Sequence, residues 1–274
     1  MSSAAFVLAL GAAFLHALWN LLLARERDPE AATAIAICAS VVVFAPVTAA
    51  VWDVDSRVWP FVAATSVLQL AYFALLATAY RRAELSFVYP IARGVAPVLV
   101  LVVGVVALGT GATPAQAAGV CLVGLGVLLV RGIGGERDVA GGVLALAIAG
   151  TIAAYTLVDN SGIQYASPIV YLELGMAPVA LGGLLLVALL PSGSSRLRAA
   201  ARPTPAVAGV ISFVAYVLVL AALERAPAAS VAAVRETSVL IVAALASSML
   251  GERVGPARLT GAALVVGGIA LLAL

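Results

Sequence analysis

Residues 109–130 read "GTGATPAQAAGVCLVGLGVLLV", and residues 251–272 read "GERVGPARLTGAALVVGGIALL". Set 142 residues apart, they place Gly109 on Gly251, Pro114 on Pro256, Gly119 on Gly261 and Gly126 on Gly268. The same offset, carried upstream, sets Arg93 on Arg235. One residue of slippage brings "RRA" (81–83) onto "ERA" (224–226). Further back "VLAL" (7–10) recurs at 143–146, which sets Trp19 on Tyr155. Ala/Gly-rich sequence matches by chance, so the ordered Pro, Arg and charge positions carry the case for an internal repeat. The chain divides into halves at 1–131 and 132–274.

Composition says what solvent these halves meet. The 274 residues are 64% hydrophobic and 10% charged, where a soluble domain is about one-quarter charged. Breaks rich in charge, Pro or Gly leave ten apolar runs, near 4–24, 31–51, 59–80, 84–108, 114–131, 139–158, 167–190, 205–223, 227–250 and 256–274. Such runs suit helices crossing about 30 Å of hydrocarbon; barrel strands would alternate over about 10 residues. The first run, Ala4–Leu23, lacks a basic leader and exceeds a signal-peptide core, so it reads as a membrane helix. The connections are short and leave no room for a soluble domain, 191–205 reading as a loop. Five helices per half is odd, so the second half must enter the membrane from the opposite side. The expected architecture is an all-α integral membrane protein, ten transmembrane helices as two inverted five-helix repeats around a central cavity.

All fifteen basic residues are Arg, so a lysine-dependent nucleotide-binding loop is excluded. Cys38 and Cys121 lie in apolar runs and His16 is the single histidine, a set that builds no zinc site. No metal, nucleotide or redox cofactor and no nucleic-acid partner is expected. The partners are the lipid bilayer and a small-molecule substrate, with a homodimer left open. Loops after odd-numbered helices hold eleven Arg, and loops after even-numbered helices hold two, Arg57 and Arg225. The positive-inside tendency then puts odd loops in the cytoplasm and both termini outside.

Polar side chains at membrane depth mark function. His16, Trp19 and Asn20 share one face of the first helix, and Gln69 and Tyr72 share a face of the third. Tyr89 and Arg93 lie one turn apart, as do Tyr155 and Asp159; Tyr216 and Arg235 follow. Arg93 and Arg235 face each other across the expected cavity and bind carboxylate or phosphate in a fork, with aromatic walls around an organic portion. The alternative ties both to Glu173, Glu236 or helix-end carbonyls. Glu173 and Glu236 are candidates for counter-charge or coupling. His16 either handles protons or bonds helix to helix. Asp159 reads as a solvated residue at a helix end. Pro46, Pro90, Pro97 and Pro178 are expected to break or bend helices. Gly119, Gly124, Gly126, Gly261, Gly267 and Gly268 are expected to admit close helix packing.

With these residues placed, the chain resembles the EamA-type branch of the drug/metabolite transporter superfamily. The resemblance rests on "HALWNLLLARERD" (16–28), "RAELSFVYPIARGVAPVLV" (82–100) and the "GER…P" terminal helix (251–272). "HALWN" also resembles a subset linked to phosphonate utilisation. The first half carries "GTG" where the second has "GER". The resemblance implies a non-enzymatic secondary transporter, an exporter of a small organic metabolite, in the cell's inner (plasma) membrane; Arg93 and Arg235 favour an anionic or zwitterionic one. It also implies both termini inside, against the Arg count. An intramembrane enzyme with a lipid or isoprenoid substrate, or a gated channel, is the alternative.

Overall fold

The structure, a computed structural model, describes residues 1–82, 85–131, 139–241 and 256–273. Among them the chain is helical: α1 (Ser3–Leu23), α2 (Pro29–Ala50), α3 (Trp59–Arg82), α4 (Leu85–Leu108), α5 (Pro114–Arg131), α6 (Val139–Gly162), α7 (Pro168–Ala188), α8 (Gly193–Ala200), α9 (Pro203–Leu223), α10 (Ala228–Arg235) and α11 (Pro256–Ala273). A 3₁₀ turn, Ser56–Val58, leads into α3. Helix starts follow local chemistry. Ser2 accepts from the Ala5 amide and Asp28 from the Ala31 amide, and proline opens α2, α5, α7, α9 and α11.

Seven spans among the described residues are long and apolar enough to cross a membrane: α1, α2, 56–76, 91–108, α6, α7 and α9. Helices α5 and α11 hold shorter apolar stretches, Pro114–Leu129 and Leu259–Leu272. The expected run at 227–250 differs in kind. Helix α10 stops at Arg235, a turn falls on Glu236, and helix resumes from 237 to 241; residues 242–250 lie outside the described ones. Of the two outcomes expected at the four prolines, breaking does not occur: α2, α4 and α7 run unbroken through Pro46, Pro90, Pro97 and Pro178. Within a bilayer, neighbouring helices and side chains satisfy the carbonyl that each proline frees. The loop expected at 191–205 contains α8, introduced by Ser192 in a left-handed conformation (φ 58°).

Packing follows small residues. A Cβ on Gly119 would lie 2.8 Å from the Gly268 carbonyl oxygen, and one on Gly126 2.6 Å from that of Gly261. Contacts 119–268 and 126–261 mean that α5 and α11 run antiparallel with their backbones touching, as small-residue faces allow. Gly94 and Gly124 bring α4 onto α5 in the same way. The remaining contacts fall into repeat-related sets. Helix α1 packs on α9 as α3 packs on α6, α2 packs on α9 as α3 packs on α7, and α2 packs on α7.

The two ends of the bundle are tied differently. At one end Val54 bridges Ala166, and the Asp55 amide donates to the Tyr165 carbonyl at 2.8 Å. Phe61 stacks on the Tyr165 ring, and the Arg57 guanidinium lies 4.8 Å above it. At the other end Arg196 of α8 forks onto Asp28 at 2.6 and 2.8 Å and reaches Glu30 at 3.0 Å, while Arg202 pairs with Glu26.

Candidate functional site

Between these ends lies a cavity of about 700 Å³. Helices α1, α3, α4, α6, α9 and α10 bring His16, Trp19, Asn20, Gln69, Tyr72, Arg93, Tyr155, Tyr216 and Arg235 onto its wall. Of the expected binding residues only Tyr89 is missing, and its side chain lies outside the described residues. The cavity extends along Ala24, Glu30, Thr33, Leu186 and Leu190 to the end where α8 sits. None of the Tyr165 clasp lines it.

Arg93 and Arg235 are both 5% exposed. Arg93 pairs with Glu236 at 3.4 Å, and a second guanidinium nitrogen lies 3.0 Å from His16 Nε2. The ion pair crosses from one half of the chain to the other. Arg93 therefore combines both expectations, being tied to a carboxylate and facing the cavity. Arg235 and Glu236 are neighbours in sequence but not partners. Arg235 Nε has no hydrogen-bond partner among the described residues. Glu173 departs from expectation. It is buried on α7, lies off the cavity wall, forms no ion pair among the described residues and leaves Oε2 without a partner.

The His16 corner sets two donors against one ring. Trp19 Nε1–H points at His16 Nδ1 across 3.2 Å, and an Arg93 guanidinium nitrogen lies 3.0 Å from Nε2. Indole and guanidinium only donate, and a neutral imidazole has one accepting nitrogen. The tautomer with its proton on Nε2 serves Trp19 and the other serves Arg93, so the ring accepts from one of them at a time. An imidazolium would find no acceptor on either side, so this arrangement holds His16 neutral and does not suit it to carry a proton. Asn20 donates to the His16 carbonyl at 2.7 Å and anchors the same turn of α1.

Aromatic rings line the same cavity. Tyr72 meets Tyr155 edge-on with centroids 6.2 Å apart, and Tyr155 meets Tyr216 at 6.2 Å. Behind them sits Asp159, in the last turn of α6 as the helix-end reading had it, but 0% exposed and not solvated. It accepts from the Tyr171 hydroxyl at 2.9 Å and from the Tyr216 hydroxyl at 2.5 Å. Its sequence setting, "LVDNSG" (157–162), reads as a helix terminus because Asn, Ser and Gly follow. The available signal was the one-turn spacing from Tyr155. No group of three or more His, Cys, Asp or Glu side chains converges as a metal site among the described residues.

Outside the spans, charge is organised by Arg–carboxylate forks. Hydrogen bonding from Arg57 pulls the Asp55 carboxyl down to about 2. Arg196 holds the Asp28 carboxyl below its ordinary range and is itself raised by Asp28 and Glu30.

Comparison with known proteins decides the family. The EamA-like transporter family matches the chain twice, over residues 3–132 and 139–274. The chain belongs to the EamA-like transporter family. It is therefore a multi-pass membrane protein of a transporter family, and the double match falls on the two halves that the 142-residue offset relates. Among solved structures, one crystal structure aligns over 100% of this EamA-like chain and 99% of its own, with a TM-score of 0.79 at 19% identity. That likeness concerns the fold. No curated protein matches.

Proposed function

We propose that this chain is a secondary transporter of a small organic anion or zwitterion, working by alternating access between two inverted repeats, 1–131 and 132–274. The full set is ten membrane helices, the ninth broken at Glu236. The observation that carries the reading is the gathering of the Arg93 and Arg235 guanidinium groups with His16 and Trp19 on the wall of one cavity. An anionic oxygen there accepts from Arg93 and from the imidazole N–H of the tautomer that Trp19 favours. Arg235 supplies a second guanidinium, and Trp19, Tyr72, Tyr155 and Tyr216 suit a planar or apolar remainder. The arginine-rich end lies in the cytoplasm of a plasma membrane and both termini lie outside, following the loop count. The structure is then the inward-open state, with the Tyr165 clasp as its closed outer gate. Direction follows the solute gradients, and export results when the substrate is concentrated inside.

The test is a thermal-shift screen of organic anions on the purified protein, with benzenesulfonate as a non-titrating reference probe. Stabilising anions should lose their effect in Arg93→Ala. In Trp19→Phe the imidazole proton is free to move to Nδ1, so affinity should fall about tenfold, the worth of one charge-assisted hydrogen bond. Equal stabilisation of wild type and Arg93→Ala would remove Arg93 from the site.

A further inference from the structure

A transporter that binds an anion in a dry cavity must answer for the added charge. Two guanidinium groups on the cavity wall, Arg93 and Arg235, are backed by two buried carboxylates, Glu236 against Arg93 and Asp159 behind Tyr216. Arg93 and Glu236 pair with each other. Arg235 and Asp159 lie within electrostatic reach of one another. With all four ionised the set sums to zero, and an entering monoanion would leave an uncompensated negative charge in low dielectric. Such a charge is costly there. A proton taken up with the anion restores neutrality, and the structure offers a built place for it.

Asp159 sits one turn beyond Tyr155 on α6 and is wholly buried. Each of its oxygens accepts one tyrosine hydroxyl, Oδ1 from Tyr171 of α7 and Oδ2 from Tyr216 of α9. The Tyr171 ring is admitted by Gly162, where a Cβ would lie 2.3 Å from that ring. Tyr216 lines the cavity, so its hydroxyl stands between the carboxylate and the substrate space. The groups facing Asp159 are Tyr155 on its own helix, Tyr171 from α7, Tyr216 from α9, Arg235 from α10 and the neutral Thr65 from α3. Among the described residues, the other ionisable groups on the cavity wall are Arg93 from α4, His16 from α1, Tyr72 from α3 and, toward the α8 end, Glu30 from α2.

Resting on the anion-transport reading, we propose that Asp159 is the coupling-proton site, binding one proton together with each anion and signalling its state to the cavity through Tyr216. While Asp159 is ionised it only accepts, so the Tyr216 O–H is committed to it and the cavity sees that oxygen's lone pairs, which repel an anion. When one proton from water binds Oδ2, the carboxylic acid donates to the Tyr216 oxygen. The phenol hydrogen then turns into the cavity and joins the donors at Arg93, Arg235 and His16. One O–H bond forms on Oδ2 as one breaks in the hydronium ion that delivers the proton, leaving water, and the step reverses when the anion leaves. One proton per monoanion makes the cycle electroneutral.

The decisive measurement is infrared difference spectroscopy on the full chain in phosphatidylcholine vesicles. Acid titration should reveal a protonated-carboxyl C=O stretch that is absent in Asp159→Asn and retained in Glu173→Gln. Tyr216→Phe should displace its midpoint by about one pH unit, the loss of one hydrogen bond to a charged group. Benzenesulfonate has no carbonyl and does not titrate. Added just above the midpoint, it should make the band appear in wild type and fail to do so in Tyr216→Phe. A band unchanged in Asp159→Asn, or unmoved by Tyr216→Phe should Asp159→Asn not fold, overturns the site. Benzenesulfonate binding that leaves the wild-type band unchanged overturns the coupling and leaves the transport reading standing. Absence of any anion-induced thermal shift instead tells against the transport reading, while the titration, which uses no ligand, still decides Asp159.

Discussion

Gly267 and Gly268 are neighbours on α11, and the structure assigns opposite signs to the same substitution at each. At Gly267 an added Cβ meets nothing within 4 Å. At Gly268 it would lie 2.6 Å from the Gly119 carbonyl oxygen, 2.8 Å from Val123 Cγ2 and 3.0 Å from the Val123 amide nitrogen. Ordinary contact begins at 3.4 Å, so the shortfall against the oxygen is 0.8 Å, and the obstacle is backbone that cannot swing aside. Helices α5 and α11 would have to part by most of that distance, at a cost of about 1–3 kcal/mol for an overpacked contact. Replacing a mid-helix glycine by alanine returns about 0.5–1 kcal/mol. Gly268→Ala should therefore destabilise by about 1–2 kcal/mol, and Gly267→Ala should be neutral or stabilising by up to about 1 kcal/mol. At about 2–4 °C per kcal/mol, the two variants should melt at least about 2 °C apart in one detergent. The repeat adds a second check, since Gly126 is the partner of Gly268 at the 142-residue offset and meets Gly261 oxygen at 2.6 Å. Gly126→Ala should match Gly268→Ala. Equal melting of Gly267→Ala and Gly268→Ala would show that α5 and α11 do not touch at these glycines.

Two further outcomes follow from the loops. Arg196 lowers the Asp28 carboxyl, so its stabilising share is present above the ordinary carboxylate range and is lost as pH falls through the lowered folded value. Arg196→Ala should cost about 1 kcal/mol at neutral pH, and that difference from wild type, measured by thermal unfolding, should shrink in acid; a constant difference would remove the clasp from the balance. The loop Arg count places the N-terminus outside, so a cysteine tag there should react with an impermeant maleimide in intact cells, and protection would reverse the orientation.

Most of the architecture is legible because a bilayer forgives little. Apolar runs of membrane length must be helices, and polar side chains inside them must turn away from lipid. The shared face of His16, Trp19 and Asn20 and the paired positions of Arg93 and Arg235 then follow from spacing alone, and the structure gathers all five on one cavity. What escaped the sequence depended on long-range partners. Asp159 reads as a solvated helix end until Tyr171 and Tyr216 arrive from two other helices to bury it. Prolines in α2, α4 and α7 read as breaks or bends under rules drawn from water-exposed helices, and the helices continue through all four. The actual interruption at Glu236 has no proline or glycine to announce it; its side chain reaches back to Arg93 in the other half. Helix α8 is short and polar, and its Arg196 acquires meaning only from Asp28 and Glu30.

The repeat is kept in the scaffold and broken in the site, and that division has a physical use. The offset of 142 that pairs Arg93 with Arg235 also pairs Glu236 with Gly94. At Gly94 a Cβ would lie 2.8 Å from the Gly124 oxygen, so in the first half this position serves close approach of α4 to α5. In the second half the same position carries the carboxylate that neutralises Arg93. The alignment of Trp19 with Tyr155 likewise sets His16 against Ile152 and Leu23 against Asp159. Chemistry is therefore unequal across the pseudo-symmetry axis. One side offers Arg93, His16 and Trp19, a wall of donors; the other offers Arg235 with a tyrosine-screened carboxylate. On the transport reading proposed above, equal scaffolds would let either end of the cavity close by the same helix contacts, as inverted repeats require for alternating access. Unequal walls would then fix which way the substrate lies, its charged end at Arg93 and its remainder at the tyrosines in both states. A symmetric site would bind the same molecule in two opposed poses, and only one of them could report the protonation of Asp159 through Tyr216.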